Sequence, residues 1–177
     1  PFLSNLSLSL AVRLLHPATG EDRFARLKVP DNQPRWVELP TSHHYVPLEQ
    51  VIAHNAGALF KGMQVQGVHA FRVTRNADIR RDEEEANDLL KLISEELRER
   101  RFAPVVRLEV QTDMPETMRS FLANELSLSA DALYTAPALL GHTDLMCLSS
   151  IDAPAHHYPK WTPVKPPRLH TPAQRPS

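Results

Sequence analysis

Four arginines crowd the exit of one short alternating segment. In FRVTRNADI, residues 71–79, apolar Phe71 and Val73 alternate with Arg72 and Thr74; Arg75 follows, then Arg80 and Arg81 open the next stretch just ahead of the acidic run DEEE, 82–85. Guanidinium groups meet phosphate and carboxylate oxygens well, because a fixed planar cation pairs its N–H groups with accepting oxygens. Arg72, Arg75, Arg80 and Arg81 are therefore candidates for gripping a polyanion. The same residues read equally as surface charge at a strand-to-helix junction, neutralised by local acids. If Phe71 and Val73 face the core, Arg72 and Thr74 face away from it. Arg75 then sits at the strand end on the core side and needs a partner, for which Asp78, Asp82 and Glu83 are in reach.

Other chemistry is sparse. The nine histidines include two doublets, His43-His44 and His156-His157, but neighbours in an extended chain point to opposite sides and rarely chelate one ion. HExxH and CxxC are absent, so no metal site is expected. His54 and His69 read as satisfied core or edge histidines. GxSxG, GxGxxG and a Walker A loop are also missing, so no catalytic residue is assigned. The one cysteine, Cys147, cannot form an internal disulfide; its neighbours Leu145, Met146 and Leu148 predict a buried, inert thiol with a raised pKa.

The elements that would position these groups follow from periodicity. Hydrophobic residues make up 42% of the chain and charged residues 23%, the balance of a globular protein with a core. The net charge of −1 gives no whole-chain pull toward nucleic acid or anionic membrane. No apolar run reaches the ~20 residues of a membrane span, and no signal peptide opens the sequence. SNLSLSLAVRLL, 4–15, predicts a half-buried strand, with Leu6, Leu8, Leu10 and Val12 on one face and Ser7, Ser9 and Arg13 on the other. RFARLKVP, 23–30, predicts its hairpin partner. PRWVELP and HHYVP read as short strands. Residues 47–60 predict a helix with Pro47 at its first position and Gly57 ending or loosening it.

Residues 67–76 predict a strand. Residues 82–101 predict a long helix, with Ala86, Leu89, Leu90, Ile93 and Leu97 in one stripe and its end charges matched to the dipole. APVVRLEVQ predicts a strand with Val106, Leu108 and Val110 opposite Val105, Arg107 and Glu109. Residues 114–126 predict a helix, and SADALY and TDLMCLSS short helical pieces with Ser129 and Thr143 as N-caps. This order implies an α+β fold with a mixed, largely antiparallel sheet packed with helices. Seven prolines between Pro154 and Pro176 predict an extended tail. The expected division is a domain over 1–151 and a proline-rich tail or linker over 152–177. The tail and the abrupt opening PFLSNLSLSL together suggest a piece of a longer polypeptide.

PFLSNLSLSLAV, RFARLKVP, FRVTRNADI, DEEEANDLL, ELRERRFAPVVRLEV and YPKWTPVKPPRL, in that order, resemble the middle, or head, domain of the long-chain polyphosphate kinases. The resemblance runs from Pro1 to about Leu169; HTPAQRPS fits it poorly. It implies a parent enzyme that reversibly moves the terminal phosphate of ATP onto polyphosphate through a phosphorylated histidine, with Mg2+. It implies further that the reacting histidine, the nucleotide site and the phosphate-holding arginines lie in N-terminal and C-terminal domains of the same parent chain. None of the histidines here matches that pattern, so the segment carries no catalytic residue and no cofactor of its own. The head domain would serve dimer formation and border the polyphosphate path, in a fold resembling the phosphohistidine phosphatases. A cytoplasmic setting, with peripheral membrane association of the parent left open, and no nucleic-acid partner complete the expectation. Two alternatives stand beside it: an independent self-association module, and a small phosphohistidine hydrolase using His69 or His54.

Overall fold

A computed structural model describes residues 3–41, 44–76 and 103–164. The predicted helix 82–101 lies outside the described residues, as do Arg80, Arg81, Asp78, Asp82 and Glu83. The chain divides into two compact units, Pro1–Asp144 and Leu145–Ser177.

The described residues of the first unit form seven strands: β1 (Leu8–Leu15), β2 (Asp22–Lys28), β3 (Trp36–Glu38), β4 (Tyr45–Pro47), β5 (Gln64–Arg75), β6 (Val105–Gln111) and β7 (Leu133–Ala136). Among the described residues three α-helices accompany them: α1 (Leu48–His54), α2 (Ala56–Leu59) and α3 (Glu116–Glu125). Five strands form one sheet in the order β2-β1-β5-β6-β7, and β3 and β4 form a separate antiparallel pair. Within the large sheet only β6 and β7 run parallel. The fold is thus α+β with a mixed, mostly antiparallel sheet, as the sequence predicts.

Alternation along the strands fills two cores. On one face Ala11, Phe71, Val73, Leu108 and Val110 pack with Leu3 and with Met114, Met118 and Leu122 on and beside α3. On the other, Leu10, Val29, Ala70 and Leu140 pack with Leu48, Ile52 and Ala53 of α1. Both sheet faces are therefore covered, which corrects the half-buried reading of the first strand. β1 is an interior strand, and Ser9, expected on a solvent face, is buried with no hydrogen-bond partner for its Oγ among the described residues. Leu6, expected to be buried, is exposed and lies before β1 with φ 59°.

Other boundaries moved for local reasons. The register of β5 against β6 jumps from Thr74↔Arg107 to Arg75↔Val105, so Val106 is the extra residue of a bulge. Val105 consequently packs on the α3 core, while Val106, expected beside Leu108 and Val110, is exposed. The helix predicted over 47–60 begins after Pro47 and breaks at Asn55, two residues before Gly57, where the Asn55 side chain donates to the carbonyl of Val51. Most of SADALY is strand: a single 3-10 turn, Ala130–Ala132, leads straight into β7. Ser129 occupies the N-cap position but makes no side-chain capping bond, and Thr143 lies inside the 3-10 helix His142–Ser150.

α3 closes with a left-handed Ser127 (φ 54°); the Ser127 N–H donates to Asn124 and the Leu128 N–H to Ala123. In the second unit Cys147 is exposed, not buried, because no residue of the 3-10 helix that carries it is buried. Among the described residues, no helix is long and apolar enough to cross a membrane.

One side chain ties the peripheral parts of the first unit together. Arg35, just before β3, donates through Nε and Nη2 to the two carboxylate oxygens of Glu49 at 3.2 and 2.5 Å. Nη2 also donates to the carbonyl of Leu140 at 2.6 Å. Nη1 donates to the carbonyl of Gly141 at 2.7 Å and to Asp144 at 2.8 Å. All five guanidinium N–H groups are thereby used. Burial works to lower the Arg35 pKa, but the hydrogen bond and charge of Glu49, then those of Asp144, outweigh it and raise the pKa. Gly141 (φ 67°) is required here: a Cβ would lie 3.3 Å from Nη1.

Removing Arg35 alone strands Glu49, whose side chain is 6% exposed. Arg35→Met is expected to destabilise the protein by about 3–5 kcal/mol in urea unfolding, and Arg35→Met with Glu49→Leu to recover most of that loss. Equal losses in the single and double variants would contradict this account.

Candidate functional site

The two described arginines of the candidate grip sit on opposite faces of β5. Arg72 is opposite Leu8 of β1 and Glu109 of β6, and Glu109 is opposite Tyr134 of β7. Cross-strand partners share a sheet face, so Leu8, Arg72, Glu109 and Tyr134 form one row across four strands. Arg72 Nη1 donates to Glu109 Oε2 at 3.1 Å, and its Nε donates to the carbonyl of Leu6 at 3.1 Å. The other oxygen of Glu109 accepts from Arg107 Nη2 at 3.2 Å. The Arg107 guanidinium lies over the Tyr134 ring, 4.3 Å from its centroid. Two cations thus share one carboxylate; Arg72 and Glu109 are mostly buried, and only Arg107 and Tyr134 reach solvent.

Arg107 did not stand out in the sequence, where it reads as one polar position of an alternating strand. Strand alternation gives its face, but only the register of β5 on β6 brings it beside Arg72.

Arg75 faces the α3 core, as the alternation predicts. Its Nε donates to the carbonyl of Leu3 at 2.9 Å and its Nη1 to the carbonyl of Ala103. Its backbone N–H donates to Asn5 Oδ1 at 2.8 Å. The Leu6 N–H donates to the carbonyl of Val73, and the Asn76 N–H to that of Pro104. Arg75 therefore joins the segment before β1 to the segment before β6 across the end of the core. The structure brings Arg72 together with Arg107 and points Arg75 elsewhere.

The histidines correct the sequence reading. His54 is exposed in the last turn of α1 and belongs to no core. His69 is mostly buried opposite Ala11, but its Nδ1 makes no hydrogen bond among the described residues. An oxygen of Asp113 lies 3.6 Å from that nitrogen, near enough for an ion pair when the ring is protonated and too far for a hydrogen bond. The ring has room because Gly67 has no side chain; a Cβ there would lie 3.2 Å from Nε2. Among the described residues no group of three His, Cys, Asp or Glu could hold a metal ion.

Residues 1–148 match the family model described as the polyphosphate kinase middle domain. A polyphosphate kinase from Thermosynechococcus vestitus is 42% identical over 185 residues, covering 100% of this chain and 25% of that protein. One from Synechocystis is 46% identical over 181 residues, covering 96% of this chain and 25% of that protein. The crystal structure of polyphosphate kinase from Porphyromonas gingivalis superposes with a TM-score of 0.71 at 22% identity, covering 98% of this chain and 24% of that one. At that identity the superposition speaks for the fold alone. The chain spans a quarter of the length of these two curated relatives.

Arg75→Ala leaves the carbonyls of Leu3 and Ala103 without these donors. It is expected to cost about 1–3 kcal/mol in thermal or urea unfolding. Arg75→Lys should recover only part of this, because one ammonium does not reproduce the guanidinium fork. Full recovery by lysine would show that charge alone matters at this position.

Proposed function

The chain belongs to the polyphosphate kinase family, as its middle domain, and from that premise we propose a noncatalytic role for it within a longer enzyme. That enzyme reversibly transfers the terminal phosphate of ATP to polyphosphate through a phosphohistidine, in the cytoplasm. The observation that carries this reading is the family match over residues 1–148 in a chain spanning a quarter of the length of those two relatives. The phosphorylated histidine, ATP and Mg2+ are assigned to the N-terminal and C-terminal domains of the same polypeptide. His54 and His69 do not substitute for them: one is a solvent-exposed helix residue, and the other lies mid-strand among amides paired in the sheet. A phosphohistidine-phosphatase-like fold, which the resemblance carries, would not by itself confer hydrolysis, because function lives in sites.

Two surfaces support the accessory roles. The Arg72–Glu109–Arg107 row offers the donors of Arg107 to a passing polyanion, and Arg72 is assigned to the border of the polyphosphate path with Arg80 and Arg81; Arg75, the fourth candidate, is instead taken up by the carbonyls of Leu3 and Ala103. Self-association is supported by Phe24 and Phe121. Their rings lie 4.8 Å apart, one on the edge strand β2 and one on α3, and each stays more than a third exposed. An edge strand also offers unpaired backbone groups to a second copy.

The 177-residue chain supplied with ATP and Mg2+ is expected to make no polyphosphate, while the longer enzyme makes it; turnover by the chain alone would overturn the noncatalytic role. Polyphosphate binding to the chain should weaken as salt rises, and Arg72→Ala should weaken it about tenfold further at low salt. Binding that ignores both would remove Arg72 from the path. Phe121→Asp should shift sedimentation toward monomer, and an unchanged distribution would place self-association elsewhere.

A further inference from the structure

Four of the seven positions from Tyr158 to Val164 are held extended by covalent geometry. Pro159 and Pro163 fix their own φ, and Tyr158 and Thr162, each preceding a proline, are pushed away from the helical region. The segment accordingly contains neither helix nor strand. Its root is organised: Pro154–His156 form a 3-10 turn, and the His157 ring contacts the carbonyl of Ile151 at 3.0 Å. A polyproline II chain has three residues per turn. In such a chain Tyr158, Trp161 and Val164, spaced by three, would fall along one edge, about 9 Å apart at its ~3.1 Å rise. They are 98%, 79% and 87% exposed.

An extended segment with exposed apolar side chains at this spacing suits the recognition mode in which a proline-rich segment lies in an aromatic-lined groove. We propose that Tyr158, Trp161 and Val164 are a docking strap, and that its occupant is an aromatic-lined groove on another part of the same longer polypeptide. The inference rests on the reading of this chain as one domain of a longer enzyme. Relatives four times as long leave chain beyond this segment that can carry such a surface in cis, where the tether keeps the local concentration high. Little ordering entropy opposes docking, because the prolines have already restricted the strap.

Trypsin provides the test, since Lys160 is exposed in the middle of the strap and is followed by Trp161 rather than proline. The bond after Lys160 should be cut readily in the 177-residue chain. In the full-length enzyme it should be cut at least about tenfold more slowly, because a docked strap must open before the protease can engage it. Tyr158→Ala with Trp161→Ala should restore fast cutting in the full-length enzyme; the melting temperature of the 177-residue chain should not change, both side chains being exposed. Equal cutting in short and long proteins would overturn the proposal. So would protection of the short chain that grows with its own concentration, which would make the occupant a second copy, or protection of the short chain by phosphatidylcholine vesicles, which would make it a membrane. Polyphosphate synthesis by the same full-length preparation reports separately on the family reading, so the two can fail independently.

Discussion

A buried guanidinium with every donor engaged holds the outer parts of the first unit in register. Arg35 joins the β3–β4 pair, the first turn of α1 and the 140–144 segment, none of which is connected to another by the main sheet. Its worth lies less in attraction than in the cost of breaking it. Glu49 is charged and buried, and it is tolerable there only because two parallel N–H bonds meet it. The neighbouring Trp36 indole N–H reaches the carbonyl of Asp144 at 2.8 Å, and the Leu48 N–H reaches that of Arg35, so the same junction is tied again from either side. The left-handed Gly141 belongs to this junction, because it lets the backbone carbonyl approach the guanidinium.

With that frame set, the two-sided burial of the sheet dictates what the strand arginines can do. β1 and β5 run through the interior, covered by α3 on one face and α1 on the other. Polar side chains there are favoured when they find partners within the fold, as the two arginines do and Ser9 Oγ and His69 Nδ1 do not among the described residues. Arg75 does so by closing the end of the α3 core with main-chain carbonyls. Arg72 emerges beyond the reach of the α1 core and shares Glu109 with Arg107. The same residue type three positions apart thus has one instance closing a core and one instance on a charged row. This is why a cluster of arginines in a sequence cannot by itself be equated with a ligand site.

The middle-domain assignment accords with how the charged side chains are used. Among the described residues the most buried ion pair is spent on internal ties, and the exposed groups include Arg107 at the rim of the charged row, an aromatic pair at a sheet edge and the apolar side chains of 158–164. Such surfaces suit a part that borders or carries other domains.

Local sequence determined much of this chain. Period-two alternation located β1, β2, β5 and β6, helical spacing located α1 and α3, and long ordered motifs carried the family. These signals are legible because each is set by neighbours a few residues away. What the sequence left open depends on partners far along the chain. Whether β1 is covered on one face or two depends on α1 and α3. Whether Val105 or Val106 faces the core depends on a bulge against β5. The turn of ADALY into a strand depends on β6 lying alongside it, and the exposure of Cys147 on what packs around its helix. Arg35 with Glu49, and Arg72 with Arg107, are separated in sequence by 14 and 35 residues, and no periodicity links them. Tertiary structure alone decided those pairings, because register and burial are properties of the assembled sheet.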